Sequence, residues 1–304
     1  PTTYDLGSPI LGVTGAWELF GYTGAEVVRV EFAAGRITRT PVPRIASSAP
    51  SSVVATAGGV VVRPLDNVTG YLVPDGQPAQ PLQGRLAYGG PVLPGPRPGT
   101  MWVPEAGEAT DHLLLVDVQG RELGERLDAP PGNVGSMIAD GSGYALFSGL
   151  GGVYSLHPGS ARRIANGSIV AVGPTRWLTQ ECDQNGACRF LVVDKRTGAT
   201  HEVGLASTRA GWPAGAISPD GHWAALINPD TNGMYLLDLD DSTAGFQLSL
   251  TQPPDENQMV WSPASDWVFV SDQSTGLHAI SIGKRAEVEL PVQLPAITQL
   301  TVRA

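Results

Sequence analysis

Seven short turn-forming clusters, each followed by a large residue that opens a strand, recur along this chain at a nearly constant interval, and no other feature restricts its fold as strongly. They are Thr14-Gly15-Ala16-Trp17, Ala57-Gly58-Gly59-Val60, Arg97-Pro98-Gly99-Thr100-Met101-Trp102, Asp140-Gly141-Ser142-Gly143-Tyr144, Pro174-Thr175-Arg176-Trp177, Pro219-Asp220-Gly221-His222-Trp223 and Pro263-Ala264-Ser265-Asp266-Trp267. Successive large residues stand 43, 42, 42, 33, 46 and 44 positions apart. Within each period a second strand follows and often ends in Asp before a turn, as at Asp117, Asp194 and Asp238; a third completes the unit, as at 200–205 and 246–250. With the short strand before each marker, every period holds four strands. A unit of this size cannot bury both faces of its sheet alone, so neighbours must stack. The pattern predicts an all-β protein, a seven-bladed β-propeller with four-stranded antiparallel blades. One domain is expected over 1–304, with blades at about 7–44, 50–85, 86–131, 132–167, 168–206, 212–252 and 256–304.

Composition agrees with that reading. The 38 glycines and 26 prolines supply the turns that so many short strands require, and a charged content of 16% leaves no long helix-favouring runs. The stretches Ala216-Ile217-Ser218-Pro219-Asp220-Gly221-His222-Trp223-Ala224-Ala225-Leu226 and Val260-Trp261-Ser262-Pro263-Ala264-Ser265-Asp266-Trp267-Val268-Phe269-Val270 resemble the core repeat of TolB-like and WD-repeat-like propellers. In those families the Ser-Pro-Asp-Gly turn joins the innermost strand to the second. The match is good in periods six and seven, partial in four and five, and only a pattern in the first three. It implies a fold superfamily that includes scaffolds, receptors, lectins and enzymes, and not one activity.

The two cysteines, Cys182 and Cys188, flank Asn185-Gly186, a strong turn signal between strands at 176–180 and 189–193. Facing each other across a hairpin, they meet the spacing a disulfide needs, and the bridge is favoured over free thiols or a metal pair. No second Cys or His pair stands nearby to complete four ligands. An oxidising, extracytoplasmic location is expected, for a secreted protein or the exported domain of an anchored one. The chain starts at Pro1 without an initiator Met, which is the expectation for a processed or truncated piece that has lost a leader or anchor. The longest apolar stretch, 53–62, is half of what a bilayer span needs, so no membrane span is expected. The sequons at Asn67 and Asn166 carry little weight in a Gly- and Ser-rich chain. A monomer is expected.

A formal charge of −10 repels a phosphate backbone and excludes nucleic acid as a partner. The innermost strands, read at 9–13, 52–56, 86–92, 134–139, 169–172, 214–218 and 258–262, contain no Asp, Glu, His, Lys or Arg. Propeller lactonases and lyases resemble one another in projecting such ligands into the channel. His112, His157, His201, His222 and His278 fall in five different periods and read as ordinary edge or surface residues. No nucleophile elbow, zinc-binding His pair or Walker loop occurs, and Gly149-Leu150-Gly151-Gly152 reads as a hairpin turn. No catalytic residues, metal ligands or cofactors are predicted.

Charge is segregated in the loops. Connections between blades and between second and third strands carry twelve acids, Glu26, Glu105, Glu181, Asp183, Asp230, Asp255, Glu256 and Asp272 among them, against Arg44, Arg85 and Arg209. Trp212, beside Arg209 in an inter-blade loop, either packs over the channel mouth as a lid or adds an apolar anchor for a partner. The favoured function is a non-enzymatic binding or sensing module that docks a protein or peptide with a basic patch on this acidic face. Dispersed acids that serve solubility alone are the plainer explanation of the same charges. The alternatives are a hydrolase or lyase with a metal on loop carboxylates such as Glu105, Glu181, Asp230 and Asp272, and a glycan-binding propeller built on Trp212.

Overall fold

The computed structural model describes residues 1–45, 51–66, 68–105, 111–132, 134–205, 215–228, 233–241, 245–249, 259–272 and 276–304; for Asn228, Ser249 and Asp272 it describes the backbone only. The chain divides into two compact units. The first comprises Pro1–Arg126, Val270–Ala279 and Val288–Ala304, the second Leu127–Phe269 and Ile280–Glu287.

Strands follow one another in sets of four. The first is β1 (Thr2–Asp5), β2 (Glu18–Tyr22), β3 (Glu26–Glu31) and β4 (Arg36–Pro41). Then come β5 (Ser51–Thr56), β6 (Gly59–Pro64), β7 (Tyr71–Pro74) and β8 (Gln80–Pro81), followed by β9 (Leu93–Pro94), β10 (Thr100–Pro104), β11 (His112–Asp117) and β12 (Glu122–Asp128). The second unit holds β13 (Gly135–Ala139), β14 (Ala145–Gly149), β15 (Gly152–His157) and β16 (Ser160–Ala165). It also holds β17 (Ser168–Val172), β18 (Arg176–Cys182), β19 (Cys188–Asp194), β20 (Thr200–Val203), β21 (Gly215–Ile217), β22 (Trp223–Asn228), β23 (Gly233–Asp238) and β24 (Phe246–Ser249). A last set is β25 (Met259–Trp261), β26 (Trp267–Asp272), β27 (Gly276–Ser281) and β28 (Ala286–Val288), and β29 (Gln299–Arg303) ends the series.

Each set from β5 to β28 is an antiparallel meander, and in the first set β1 pairs antiparallel with β4, outside a β2-β3-β4 meander. Among the described residues the sheets number six, four of four strands, one of five and one of eight. Seven separate sheets were expected. The difference arises where β17 and β21 pair in parallel through Ala171↔Gly215 and Val172↔Ala216, joining two four-stranded meanders into one sheet.

Stacking of sheets explains the apolar runs. β6 is buried at all six positions, on both faces, because neighbouring sheets cover both. Within the first unit, Phe20, Val27, Val60, Val62 and Val73 pack β2 and β3 against β6 and β7. Within the second, Leu146 and Val153 meet Trp177 and Val193, and Leu178, Phe190 and Val192 meet Ile217, Leu226 and Leu237. The marker tryptophans lie in such cores: Trp17, Trp102, Trp177 and Trp267 are buried, and Trp223 is partly so. Outer strands are the exposed ones, as at Glu122–Asp128 and Ser160–Ala165.

Two innermost strands differ from expectation. Residues 9–13 hold a 3-10 turn, Ile10–Gly12, and the place beside β2 is taken by β29, paired from Glu18↔Arg303 to Tyr22↔Gln299. Thr298 reinforces this junction, its amide and hydroxyl both donating to the Tyr22 carbonyl. The tail therefore completes the first sheet from inside, whereas β1 pairs with β4 on its outside. Because β29 ends in Arg303, the innermost strands are not free of charge. In the third set, 86–92 forms no strand. Arg63 on β6, 1% exposed, donates to the carbonyls of Tyr88, Gly89 and Pro91 and takes acceptors that a strand ladder would use. Pro91 contributes no donor in their place. No helix among the described residues is long and apolar enough to cross a membrane.

Candidate functional site

The marker turns are built around buried acceptors. Ser218 donates to Asp220 at 2.5 Å and accepts from the Trp223 amide; Ser262 does the same with Asp266 at 2.6 Å and the Trp267 amide. The first of these clusters in the second unit carries more charge. Asp140, 1% exposed, accepts the amides of Ser142 and Tyr144 on Oδ1, and on Oδ2 the Ser142 hydroxyl and Lys195 Nζ, the latter at 2.8 Å. Lys195 Nζ also donates to the Asp140 and Gly173 carbonyls and stands 4.8 Å over the Trp177 ring. Burial pushes the Asp140 carboxyl up, but Lys195 and Ser142 outweigh it and leave the pKa below 3.8. Burial also pushes Lys195 down, and Asp140 only partly restores it. Every donor and acceptor here is spent on holding the turn.

The β18–β19 hairpin presents the sequence-predicted residues that the structure describes. Cys182 and Cys188 are bridged and directly opposed in register, as expected. Within the loop they close, Asp183 accepts the amides of Asn185 and Ala187, and Gly186 takes the left-handed conformation (φ +82°) that the turn demands. One position below the bridge, Arg189 donates to Glu181 at 2.8 Å, and the Asn166 amide donates to the other Glu181 oxygen at 3.2 Å. The hydrogen bond from Arg189 is the main reason the Glu181 carboxyl titrates below its usual 4.5, with Arg163 adding a weaker attraction. These residues rim an open depression of about 560 Å³.

Of the other predicted contacts, Trp212, Arg209, Asp230, Asp255 and Glu256 lie outside the described residues, and Asp272 is described by its backbone at the end of β26. The structure brings Glu181 and Asp183 together on one hairpin, and of the rest of that set it describes only the Asp272 backbone. It also revises the charge balance of the loops. Glu26 pairs with Arg39, Glu105 lies 4.0 Å from Arg126, and Glu181 pairs with Arg189. These arginines sit on strands beside the acids, so a count of loop residues alone misses them. The register made one of them readable: with Cys182 opposite Cys188, Glu181 must stand opposite Arg189.

A second charged group was missed because its members are far apart in sequence. Asp240 joins Arg176 at 2.7 Å and His222 Nδ1, while His201 Nε2 bonds the neighbouring Leu239 carbonyl at 2.9 Å. Burial raises the Asp240 carboxyl, and Arg176 and His222 more than reverse that. Among the described residues no group of three or more His, Cys, Asp or Glu side chains is placed to hold a metal ion.

Comparison with known proteins gives a fold. No protein-family model matches the chain, and no curated protein matches it in sequence. Solved structures do. AztD of Citrobacter koseri in its apo form is 12% identical, with a TM-score of 0.52 over 98% of this chain and 88% of that one. The WD40 domain of Neurospora crassa Pan2 is 13% identical, with a TM-score of 0.55 over 90% and 87%. A proposed 6-phosphogluconolactonase of Bacteroides fragilis is 11% identical, with a TM-score of 0.59 over 96% and 99%. At such identities the likeness speaks for architecture alone. The chain is an all-β β-propeller with four-stranded antiparallel blades.

Proposed function

We propose that this propeller has seven blades and is an extracytoplasmic binding module that docks a basic protein or peptide through its loops. The blade number is supported by the strand series, which divides into seven antiparallel sheets among the described residues once the eight-stranded sheet is split where β17 pairs with β21. The compartment is supported by the Cys182–Cys188 bridge, since such bonds persist in oxidising surroundings.

The observation that carries the binding reading is the β18–β19 hairpin, whose bridge and turn hold Asp183 at the rim of an open depression. The state of the described carboxylates weighs against the catalytic alternative. Asp117, Asp140, Glu181, Asp194 and Asp240 all titrate below their ordinary values, held by arginine, lysine or turn donors. A general acid or base works best with a pKa near the operating pH, and these groups are shifted the other way. They are held ionised, Asp117, Asp140, Glu181 and Asp240 each by a neighbouring cation, and are not poised to move protons. A metal-dependent reaction on loop carboxylates is disfavoured for a related reason. Glu105 and Glu181 already face arginines that compete with a cation for them.

On this reading Glu181 and Asp183 mark the described part of the docking face. On the sequence reading, Asp230, Asp255, Glu256 and Asp272 add to its charge, and Trp212 with Arg209 is its anchor. The test is the binding of lysine- and arginine-rich peptides to the immobilised chain at low and high salt.

A further inference from the structure

A different depression, open and of about 590 Å³, lies in the first unit beside the 3-10 turn Gly84–Ala87. Its floor is bare backbone. Gly84 and Gly120 take left-handed φ angles of +55° and +73°, and the Arg85 amide donates to the Gly120 carbonyl at 2.9 Å. A Cβ on Gly84 would stand 2.5 Å from that carbonyl oxygen, so the floor admits no side chain. Besides Ala87, three larger side chains stand around it. Tyr88 is 56% exposed, and Arg85 donates to Glu122 across the rim with both partners partly exposed.

Beneath Tyr88 the chain spends a buried charge. Arg63 makes no salt bridge among the described residues, and its guanidinium gives its hydrogen bonds to the carbonyls of Tyr88, Gly89 and Pro91. Desolvating a cation is costly. What it secures here is a fixed backbone under an exposed aromatic ring, and a preorganised contact loses less entropy when a ligand arrives. The chemistry on offer is an apolar ring face next to a donor and acceptor pair with no net charge. Glu122 disfavours an anion and Arg85 a cation. A neutral pyranose has the complementary surface, with C–H groups on one face and hydroxyls around the edge.

We propose that this depression is a carbohydrate subsite, in which a neutral sugar ring lies against Tyr88 and its hydroxyls bond to Arg85 and Glu122. It is independent of the acidic docking face. Methyl glycosides of glucose, galactose, mannose and N-acetylglucosamine, with glucuronate as the anionic comparison, are titrated into the whole chain and followed by saturation-transfer NMR. A neutral glycoside should bind saturably, at least about tenfold more weakly in Tyr88→Ala and in Glu122→Gln, with melting temperatures unchanged and Tyr88→Phe close to wild type. The proposal is overturned if no neutral glycoside binds, if glucuronate alone binds, or if binding survives both substitutions. Loss of binding in Trp212→Ala with Tyr88→Ala unaffected would equally overturn it.

Discussion

Removing one side chain from the Asp140–Lys195 pair has a cost that can be bounded from the structure. Lys195→Met leaves Asp140, 1% exposed, with its turn donors but no cation. The carboxylate then either stays ionised and unpaired or takes up a proton. Protonation sets a ceiling, because lifting the pKa from 3.8 to 7 costs about 4 kcal/mol at about 1.4 kcal/mol per unit. Breaking a buried pair by removing one partner usually costs about 3–5 kcal/mol, and the retained hydrogen bonds place the expected loss near 3 kcal/mol at pH 7. The pH dependence has a definite sign. The folded pKa of Asp140 is depressed, so its stabilisation is present above 3.8 and is lost as the pH falls through the folded value. In Lys195→Met burial acts unopposed by the lysine and the pKa rises, so the variant's deficit shrinks to about 1 kcal/mol near pH 4.5. Lys195 is itself pushed down by burial, so the intact pair adds little over an apolar one, and Asp140→Asn with Lys195→Met should recover much of the loss. Urea unfolding at the two pH values reads all three quantities. A single-variant loss below about 1 kcal/mol at pH 7, or one that does not diminish in acid, would show that the pair carries no such energy.

The remaining predictions concern closure, the bridge and the buried arginine. Deleting residues 296–304 removes β29, with Ile297 and Leu300 buried against the first sheet, and should cost about 5 kcal/mol or more; an unchanged melting curve would show the strand to be dispensable. The bridge should make the intact mass two hydrogens lower than that of the reduced chain, and Cys182→Ser with Cys188→Ser should lose about 2 kcal/mol because the closed loop is short; thiols that react under native, non-reducing conditions would contradict both. Arg63→Met should strand the carbonyls of Tyr88, Gly89 and Pro91 and lower stability by about 2–3 kcal/mol, read by calorimetry; a more stable variant would show that the buried charge outweighs its hydrogen bonds.

How far the sequence could be read depended on whether the signal was local. The disulfide hairpin was legible because turn, bridge and flanking strands lie within a few residues, and so were the serine and aspartate turns at Ser218 and Ser262. The second strands were legible through long apolar runs, as at Val60, Val61 and Val62. The innermost strands of the first and third sets were not, because remote partners decide them. β29 displaces 9–13 from the far end of the chain, and Arg63 reaches some 25 residues ahead to take the carbonyls around Tyr88. The candidate site was partly legible for the same reason. The acids were read as loop residues, yet Glu26 opens β3 and Glu181 lies on β18, and the arginines that neutralise Glu26 and Glu105 lie on adjacent strands and depend on register. The His222 and Asp240 pair likewise exists only through the pairing of β22 with β23, and Arg176 joins it from β18 in the neighbouring meander.

The central claim, an acidic docking face with an apolar anchor, is tested most directly by association and dissociation rates of a basic peptide on the immobilised chain between about 50 and 500 mM salt. The account predicts that association slows as salt rises and slows likewise in Asp255→Lys with Glu256→Lys, while Trp212→Ala mainly speeds dissociation. A peptide bound with rates indifferent to salt and to all three substitutions would contradict it and leave the loop acids with solubility as their role.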